Sequence, residues 1–332
     1  MDGSFGIDTI DDLLAAANEP DEWLLDGLIE AGDQVVLGGP PKAGKSLLAS
    51  QLALALASGG RWLGWKAPMA RKVLYINLEL RKKRFGRRII AQVGGPSKLG
   101  GYSNLITYNK LRTLNILDAD QRKFFAKMVK DLGVDLVVWD VLVRVHGAEE
   151  NDNGAMRKVM HAIRVASADR AHIIVHHTRK PATGLEDVNL GAAGLRGASS
   201  IHGEADLILT LHVRAGQGAR YSLKFSARNV ETPDEMLLDR DPRTLLFHEA
   251  GGAEKDRLKE AIQSAFRTGT SCLARNLTEH LMNAFMVKER RAKQLSESAV
   301  AQGWITRRRR NDGRYEYCLA RPHDLLRSSG MH

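Results

Sequence analysis

The run Gly39-Pro40-Pro41-Lys42-Ala43-Gly44-Lys45-Ser46 has the spacing G-x-x-x-x-G-K-S. Those residue types suit one task, holding a chain of phosphates. The glycines let the backbone curl so that successive N–H groups point inward at anionic oxygens. Lys45 brings a mobile cation to the β- and γ-phosphates, and the Ser46 hydroxyl is a ligand for Mg2+. Asp140 closes the apolar run Leu136-Val137-Val138-Trp139, and a carboxylate at a strand end can hold the same Mg2+ through water. Glu79 follows another apolar run, Val73–Asn77. There it can orient or activate an attacking water. His176 and His177 close a third run. Strand alternation turns them to opposite sides, so one of them is expected to sense the γ-phosphate. Chemistry of this kind also needs a cation from outside. Lys224, Arg228 and Arg196 are candidates for a finger acting on a neighbouring subunit. Together these residues predict ATP and Mg2+ as ligands and in-line phosphoryl transfer to water as the reaction.

These residues need a scaffold that brings strand ends to one edge. Apolar runs at Gln34–Leu37, Val73–Asn77, 135–139, 172–175 and 206–210 alternate with amphipathic stretches at Lys45–Ala57, 119–131 and 154–168. That alternation predicts an α/β fold with a mainly parallel sheet. Tyr221–Ser226 and 244–248 read as antiparallel additions. Residues 1–30 read as an N-terminal arm, with a short helix over Ile10–Ala17 and with Trp23, Leu24 and Leu25 tucked against the body. The ATPase body is expected over 31–250 and a further domain over 254–322. Thr178–Gly194 and Ala215–Gly218 read as loops, and Gly251-Gly252-Ala253 as a linker.

The chain has 332 residues, 43% of them hydrophobic, with no apolar run long enough to span a membrane. The two cysteines have no metal-ligand spacing, and the N-terminus lacks signal-peptide features. A cytoplasmic, reducing setting is expected. Net charge is +10; residues 254–332 hold 16 Lys and Arg against 9 Asp and Glu, or +7 of it. A basic terminal module points to an anionic partner, and among those to nucleic acid.

That module reads as three helices, at 256–266, 273–281 and 287–302, followed by two strands around the Asp312-Gly313 turn. The pattern resembles a winged-helix domain. Its third helix offers Lys288, Arg290, Arg291 and Lys293 to DNA. Its wing offers Arg307, Arg308, Arg309, Arg310 and Arg314 to phosphates or a minor groove. Winged helices also dock proteins, so a partner or self-assembly role is the alternative.

The stretches Gly39–Ser46, Tyr75-Ile76-Asn77-Leu78-Glu79, Val138–His146 with Glu149-Glu150-Asn151, Ile174–Thr178 and Arg196–Ser200 occur in the order found in RecA-like ATPases. The chain most closely resembles their plasmid RepA hexameric-helicase branch (the AAA_25 group), from about Gly32 to Asn229. The resemblance implies a ring, hexameric by preference, with ATP at subunit interfaces. It implies Glu79 as the water-activating carboxylate and His177 or His176 as phosphate sensor. It also implies that the Thr178–Gly194 loop, with Arg179 and Lys180, faces a channel carrying single-stranded DNA, with duplex at the winged helix. The late Lys/Arg finger motif is only partly met by Lys224-Phe225-Ser226-Ala227-Arg228-Asn229, which leaves the trans-acting residue open. Two other readings fit the same residues: a recombinase-like or KaiC-like ATPase without unwinding, and an ATP-switched DNA-binding scaffold.

Overall fold

The structure, a computed structural model, describes residues 8–150, 152–177, 198–214, 220–250, 252–267 and 269–320. The Thr178–Gly194 loop with Arg179 and Lys180, together with Arg196 and the Ala215–Gly218 turn, lies outside them. The chain divides into two compact units, Met1–Glu249 and Ala250–His332.

The first unit is built on nine strands: β1 Gln34–Gly38, β2 Val73–Asn77, β3 Leu105–Asn109, β4 Leu136–Asp140, β5 Ala171–Val175, β6 Leu207–Val213, β7 Tyr221–Ala227, β8 Met236–Arg240 and β9 Phe247–Glu249. They form one sheet in the order β9-β8-β7-β6-β1-β5-β4-β2-β3. The six strands from β6 to β3 pair in parallel, and β7, β8 and β9 extend the sheet antiparallel. The α/β fold with a mainly parallel sheet is as expected. Strands β1, β2, β4 and β5 are buried at every position. This is why they read as unbroken apolar runs rather than alternating ones.

The helices of this unit are α1 Ile10–Ala17, α2 Lys45–Ser58, α3 Lys82–Val93, α4 Ala119–Leu132, α5 Asn153–Ala166 and α6 Ala198–Glu204, of which α2 to α6 cover the two faces of the sheet. Leu48, Leu52 and Phe85 share one core with Val35, Leu37, Tyr75 and Val138. Phe125, Val129, Met156 and Ile163 share the other with Val36, Val137, Trp139 and Ile174. Helix α2 is buried nearly all round; the short hairpin of Trp23–Leu25 with Ile29–Glu30 adds Leu24, Leu25, Leu28 and Ile29 to the same core. The stretch read as an arm therefore joins the body from Trp23 onward. By contrast α1, closed by a Thr9–Asp12 capping box, has none of its residues buried.

Several elements differ from expectation. Helix α3 and strands β3 and β8 were not anticipated. Ser271–Leu273, expected to lead into or begin a helix, is a strand, and the helix runs from Ala274 to Phe285. The second unit contains α7 Gly252–Ala265, β10 Ser271–Leu273, α8 Ala274–Phe285, α9 Glu289–Ala301, β11 Ile305–Arg309 and β12 Tyr315–Leu319. Its antiparallel sheet has the order β10-β12-β11. Leu258, Ile262, Phe266, Leu277, Leu281, Leu295, Ile305 and Tyr317 make its own core.

At the N-terminal end of the parallel strands, burial pushes the Asp33 carboxyl up to about 6, with Asp206 and Glu30 adding to the rise. The folded chain thus keeps a proton that the unfolded chain releases near 3.8, so ionised Asp33 costs stability at neutral pH. Asp33→Asn preserves an acceptor for the Glu30 N–H. It is expected to raise stability by about 1 to 2 kcal/mol at pH 7 to 8, a gain that vanishes below about pH 4. Urea unfolding at both pH values checks this; a gain independent of pH would contradict it.

Candidate nucleotide site

In register with one another, the parallel strands end at one edge of the sheet. Gly38 precedes the Gly39–Ser46 loop, Asp140 ends β4 opposite Asn77 of β2, and Val175 of β5 lies opposite Leu37 of β1. The ends of parallel strands at such a crossing are where α/β sheets place ligands.

The loop itself is held by two glycines in left-handed backbone. A Cβ on Gly39 (φ +151°) would come within 2.4 Å of the Leu211 carbonyl oxygen, and one on Gly44 (φ +103°) within 2.8 Å of the Phe247 ring. Both positions therefore exclude side chains. Gly44 is also the N-cap of α2, so the helix N-terminus and its partial positive charge open onto the loop.

Lys45 is 4% exposed. Its ammonium donates to the carbonyls of Gly39 (2.8 Å) and Pro40 (2.9 Å) and lies 3.1 Å from His177 Nδ1. Burial lowers the Lys45 pKa to about 8, against the pull of Asp140 and Glu79. Burial, followed by the Lys45 charge, lowers His177 to about 4. His177 is therefore neutral at pH 7, and Nδ1 accepts from the ammonium, which leaves the proton on Nε2. His176 is fully buried and, by strand alternation, belongs to the opposite layer. Of the two histidines, His177 is the one brought to the loop.

The Asp140 carboxylate is fully buried. It accepts from Ser46 Oγ (3.0 Å) and from Tyr75 Oη (2.7 Å). Burial pushes its pKa up to about 6 in spite of both hydrogen bonds. Two hard oxygen donors, Ser46 Oγ and Asp140 Oδ1, thus stand together beside a buried ammonium, a donor set that fits Mg2+. Glu79 is exposed and lines the same cleft. Its turn is pinned by Asn77, whose amide accepts from the Leu80 N–H (2.9 Å) and donates to the Leu80 carbonyl (2.7 Å) and Asn109 (2.9 Å).

The cleft measures about 260 Å³ and is lined by Lys42, Lys45, Ser46, Glu79, Arg88, His177 and Arg240 among others. Four of these are cationic, as an anion site requires. Arg88, Arg240 and Tyr75 were missed by the sequence reading. Arg240 ends β8, where its guanidinium lies over the rings of Tyr221 (5.5 Å) and Phe247 (5.9 Å). Gln51 of α2 ties that hairpin down through both backbone groups of Phe247, each at 2.8 Å. No motif marks these residues, because separate elements deliver them.

The remaining candidates lie elsewhere. Lys224 of β7 pairs with Thr210, which pairs with Gly38, so it stands level with the loop. Arg228 follows β7 at the other end of the sheet; it bonds the Gly203 carbonyl and lies 3.8 Å from Asp206. Within one chain it is remote from the phosphate loop. In the second unit Lys288, Arg290, Arg291, Lys293, Arg307, Arg308, Arg309, Arg310 and Arg314 are all exposed. Lys293 is paired with Glu289 (2.6 Å), and Arg310 with Asp312 (3.4 Å) and Glu316 (3.5 Å). Among the described residues no three His, Cys, Asp or Glu side chains are grouped so as to hold a metal ion.

Comparison with known proteins bears on the family and the fold. The model of the AAA-domain family (AAA_25) matches residues 5–183, more than half of the chain. A DnaB-like replicative helicase, solved in a study of its interactions with primase, superposes with a TM-score of 0.54. It is 14% identical, over 73% of this chain and 67% of that one. A KaiC-like protein from the archaeon Pyrococcus horikoshii OT3 superposes with a TM-score of 0.45. It is also 14% identical, over 68% of this chain and 93% of that one. No curated protein matches. The fold this chain shares with the DnaB-like helicase is RecA-like.

Tyr75→Phe removes one hydrogen bond from a buried carboxylate, a loss of about 1.5 to 3 kcal/mol for a charged acceptor. The variant is expected to unfold at a lower temperature and to need several-fold more Mg2+ for nucleotide binding, while binding without Mg2+ changes less than twofold. Calorimetric titration at several Mg2+ concentrations checks it; an unchanged Mg2+ requirement would contradict the role given to Tyr75.

Proposed function

The chain belongs to the AAA-domain family, and from that premise we propose that it is a DNA-dependent ATPase of the ring-forming, RepA-like helicase type, serving a plasmid, phage or other mobile element. The observation that carries this reading is the contact of Lys45 with His177. It joins the phosphate-binding cation to the strand that leads directly into the Thr178–Gly194 loop. A γ-phosphate competing for Lys45 alters what His177 holds, and the shift passes to that loop, which in this reading carries Arg179 and Lys180 against single-stranded DNA. The DNA-binding side of the proposal draws on the basic second unit, read here as a winged helix, and on the helicase named among the structural relatives.

In this reading the backbone amides of Gly39–Ser46 and the N-terminus of α2 hold the triphosphate, and Lys45 neutralises its β- and γ-oxygens. Ser46 and Asp140 hold Mg2+, which when bound polarises the phosphoryl group. Glu79, on the turn fixed by Asn77, accepts the proton of the attacking water. His177 donates Nε2–H to the γ-phosphate oxygens. Arg88 and Arg240 add charge from the same chain. A cation from a neighbouring subunit completes the site, with Lys224 and Arg228 as the candidates. His176, in the opposite layer, supports the strand.

Glu79→Gln is expected to bind ATP as the parent does, with hydrolysis reduced at least a hundredfold. The parent's hydrolysis should rise several-fold with single-stranded DNA. Steady-state ATPase assays with and without an oligonucleotide check both. Full activity in Glu79→Gln would overturn the site assignment. ATP hydrolysis indifferent to DNA, together with no displacement of a strand from forked DNA, would favour the recombinase-like or KaiC-like alternative.

A further inference from the structure

The arginines of the β11–β12 hairpin are not equivalent. Arg310 is neutralised by Asp312 and Glu316, and its backbone closes the turn by donating to Arg314 (2.8 Å) and accepting from Gly313 (3.0 Å). Arg307, Arg308 and Arg309 are exposed, with no acidic partner among the described residues. Pairing of Ile305 with Leu319, Arg307 with Tyr317 and Arg309 with Tyr315 puts these six on one face of the hairpin. The inner part of that face, Ile305 and Tyr317, is core. Its outer part carries Arg307, Arg309 and Tyr315, and Tyr315 is 42% exposed. The Arg307 guanidinium lies 3.9 Å from the centroid of the Tyr315 ring.

A large aromatic ring left at a hairpin tip gains nothing for the core. A guanidinium over such a ring is held there by cation–π attraction, and because Arg307 is exposed its plane remains open to a ligand. A guanidinium is a weakly hydrated cationic plane, the kind of surface on which a nucleobase stacks. Arg309, on the same face, stands beside it with charge for a phosphate next to such a base, while Arg308 lies on the opposite face. A duplex hides its base faces in its own stack and offers nothing to this plane, whereas an unpaired strand does.

We propose that the hairpin binds single-stranded DNA by stacking a base on the Arg307–Tyr315 pair, with Arg310 serving the turn rather than the ligand. This rests on the DNA-binding reading above and goes beyond it, because that reading gave the wing only phosphates or a minor groove.

The test uses the full chain and fluorescence anisotropy at about 0.1 M salt, with a labelled thymidine oligonucleotide of about 20 nucleotides, long enough to cover one binding site, and a duplex of equal length. Tyr315→Leu removes the ring, and Arg307→Lys keeps the charge but removes the plane. Each is expected to lose about tenfold in affinity for the single strand, in line with about 1 to 3 kcal/mol per stacked base, and less than twofold for the duplex. Tyr315→Phe should bind the single strand like the parent. Arg309→Gln, on the same face, should weaken both ligands alike. Parent-like single-strand binding by Tyr315→Leu and Arg307→Lys, or an equal loss on both ligands, would overturn the stacking proposal and leave DNA binding intact. A parent chain that binds neither ligand would overturn the DNA-binding reading itself.

Discussion

Two buried charges of opposite sign, the Lys45 ammonium and the Asp140 carboxylate, constrain most of what surrounds them. Burial pushes both toward neutrality, Lys45 down to about 8 and Asp140 up to about 6. Both are charged only in the interval between. Ions in such a place must be given hydrogen bonds, because the interior does not solvate them. The donors and acceptors come from separate parts of the chain: Gly39 and Pro40 carbonyls and His177 for the cation, Ser46 and Tyr75 hydroxyls for the anion. Loop, α2 and strands β2, β4 and β5 are thereby fixed against one another at the edge where phosphate would sit. Stability given up at this edge is a common cost of a site that must hold charge.

The two-layer packing decides which side chains reach that edge. Strand alternation sends Val138 and Asp140 toward α2, and Val137 and Trp139 toward α4 and α5. The same alternation separates His177 from His176. A change of one residue in the register of β5 would present the wrong histidine to Lys45. The antiparallel extension has a corresponding role on the other side of the loop. Gln51 fastens β9 to α2, and β8 then carries Arg240 over Gly44.

Much of this was legible in the sequence, for definite physical reasons. Fully buried parallel strands leave continuous apolar runs, and a phosphate loop needs glycine where backbone approaches backbone. The ends of β1, β2, β4 and β5 could therefore be placed to within a residue, and Asp140 and Glu79 with them, whereas β6 runs three residues beyond its expected end. Other features were hidden. Helix α3 carries only Phe85, Ile89 and Val93 as buried apolar residues in a strongly basic stretch, so its periodicity was masked. Strand β3 lies at the sheet edge with no fully buried residue, and β8 is short and half-buried. Tyr75 looked like one more core residue, and Arg88 and Arg240 like solvated surface. Only the tertiary register shows that the three converge on one cleft. The choice between His176 and His177 likewise needed the position of α2, which composition does not encode.

The most direct test of this account is the pH dependence of magnesium-nucleotide binding, measured by titration calorimetry with a non-hydrolysable ATP analogue. Loss of Asp140 charge below about pH 6 removes a metal ligand, and loss of Lys45 charge above about pH 8 removes the phosphate cation. Affinity should therefore be greatest between these values and fall on both sides. Asp140→Asn should abolish the Mg2+ dependence and flatten the acid limb, and Lys45→Met should flatten the alkaline one. Affinity that is level from pH 5 to 9, or limbs that persist in the two variants, would contradict the claim that this buried pair is the nucleotide site.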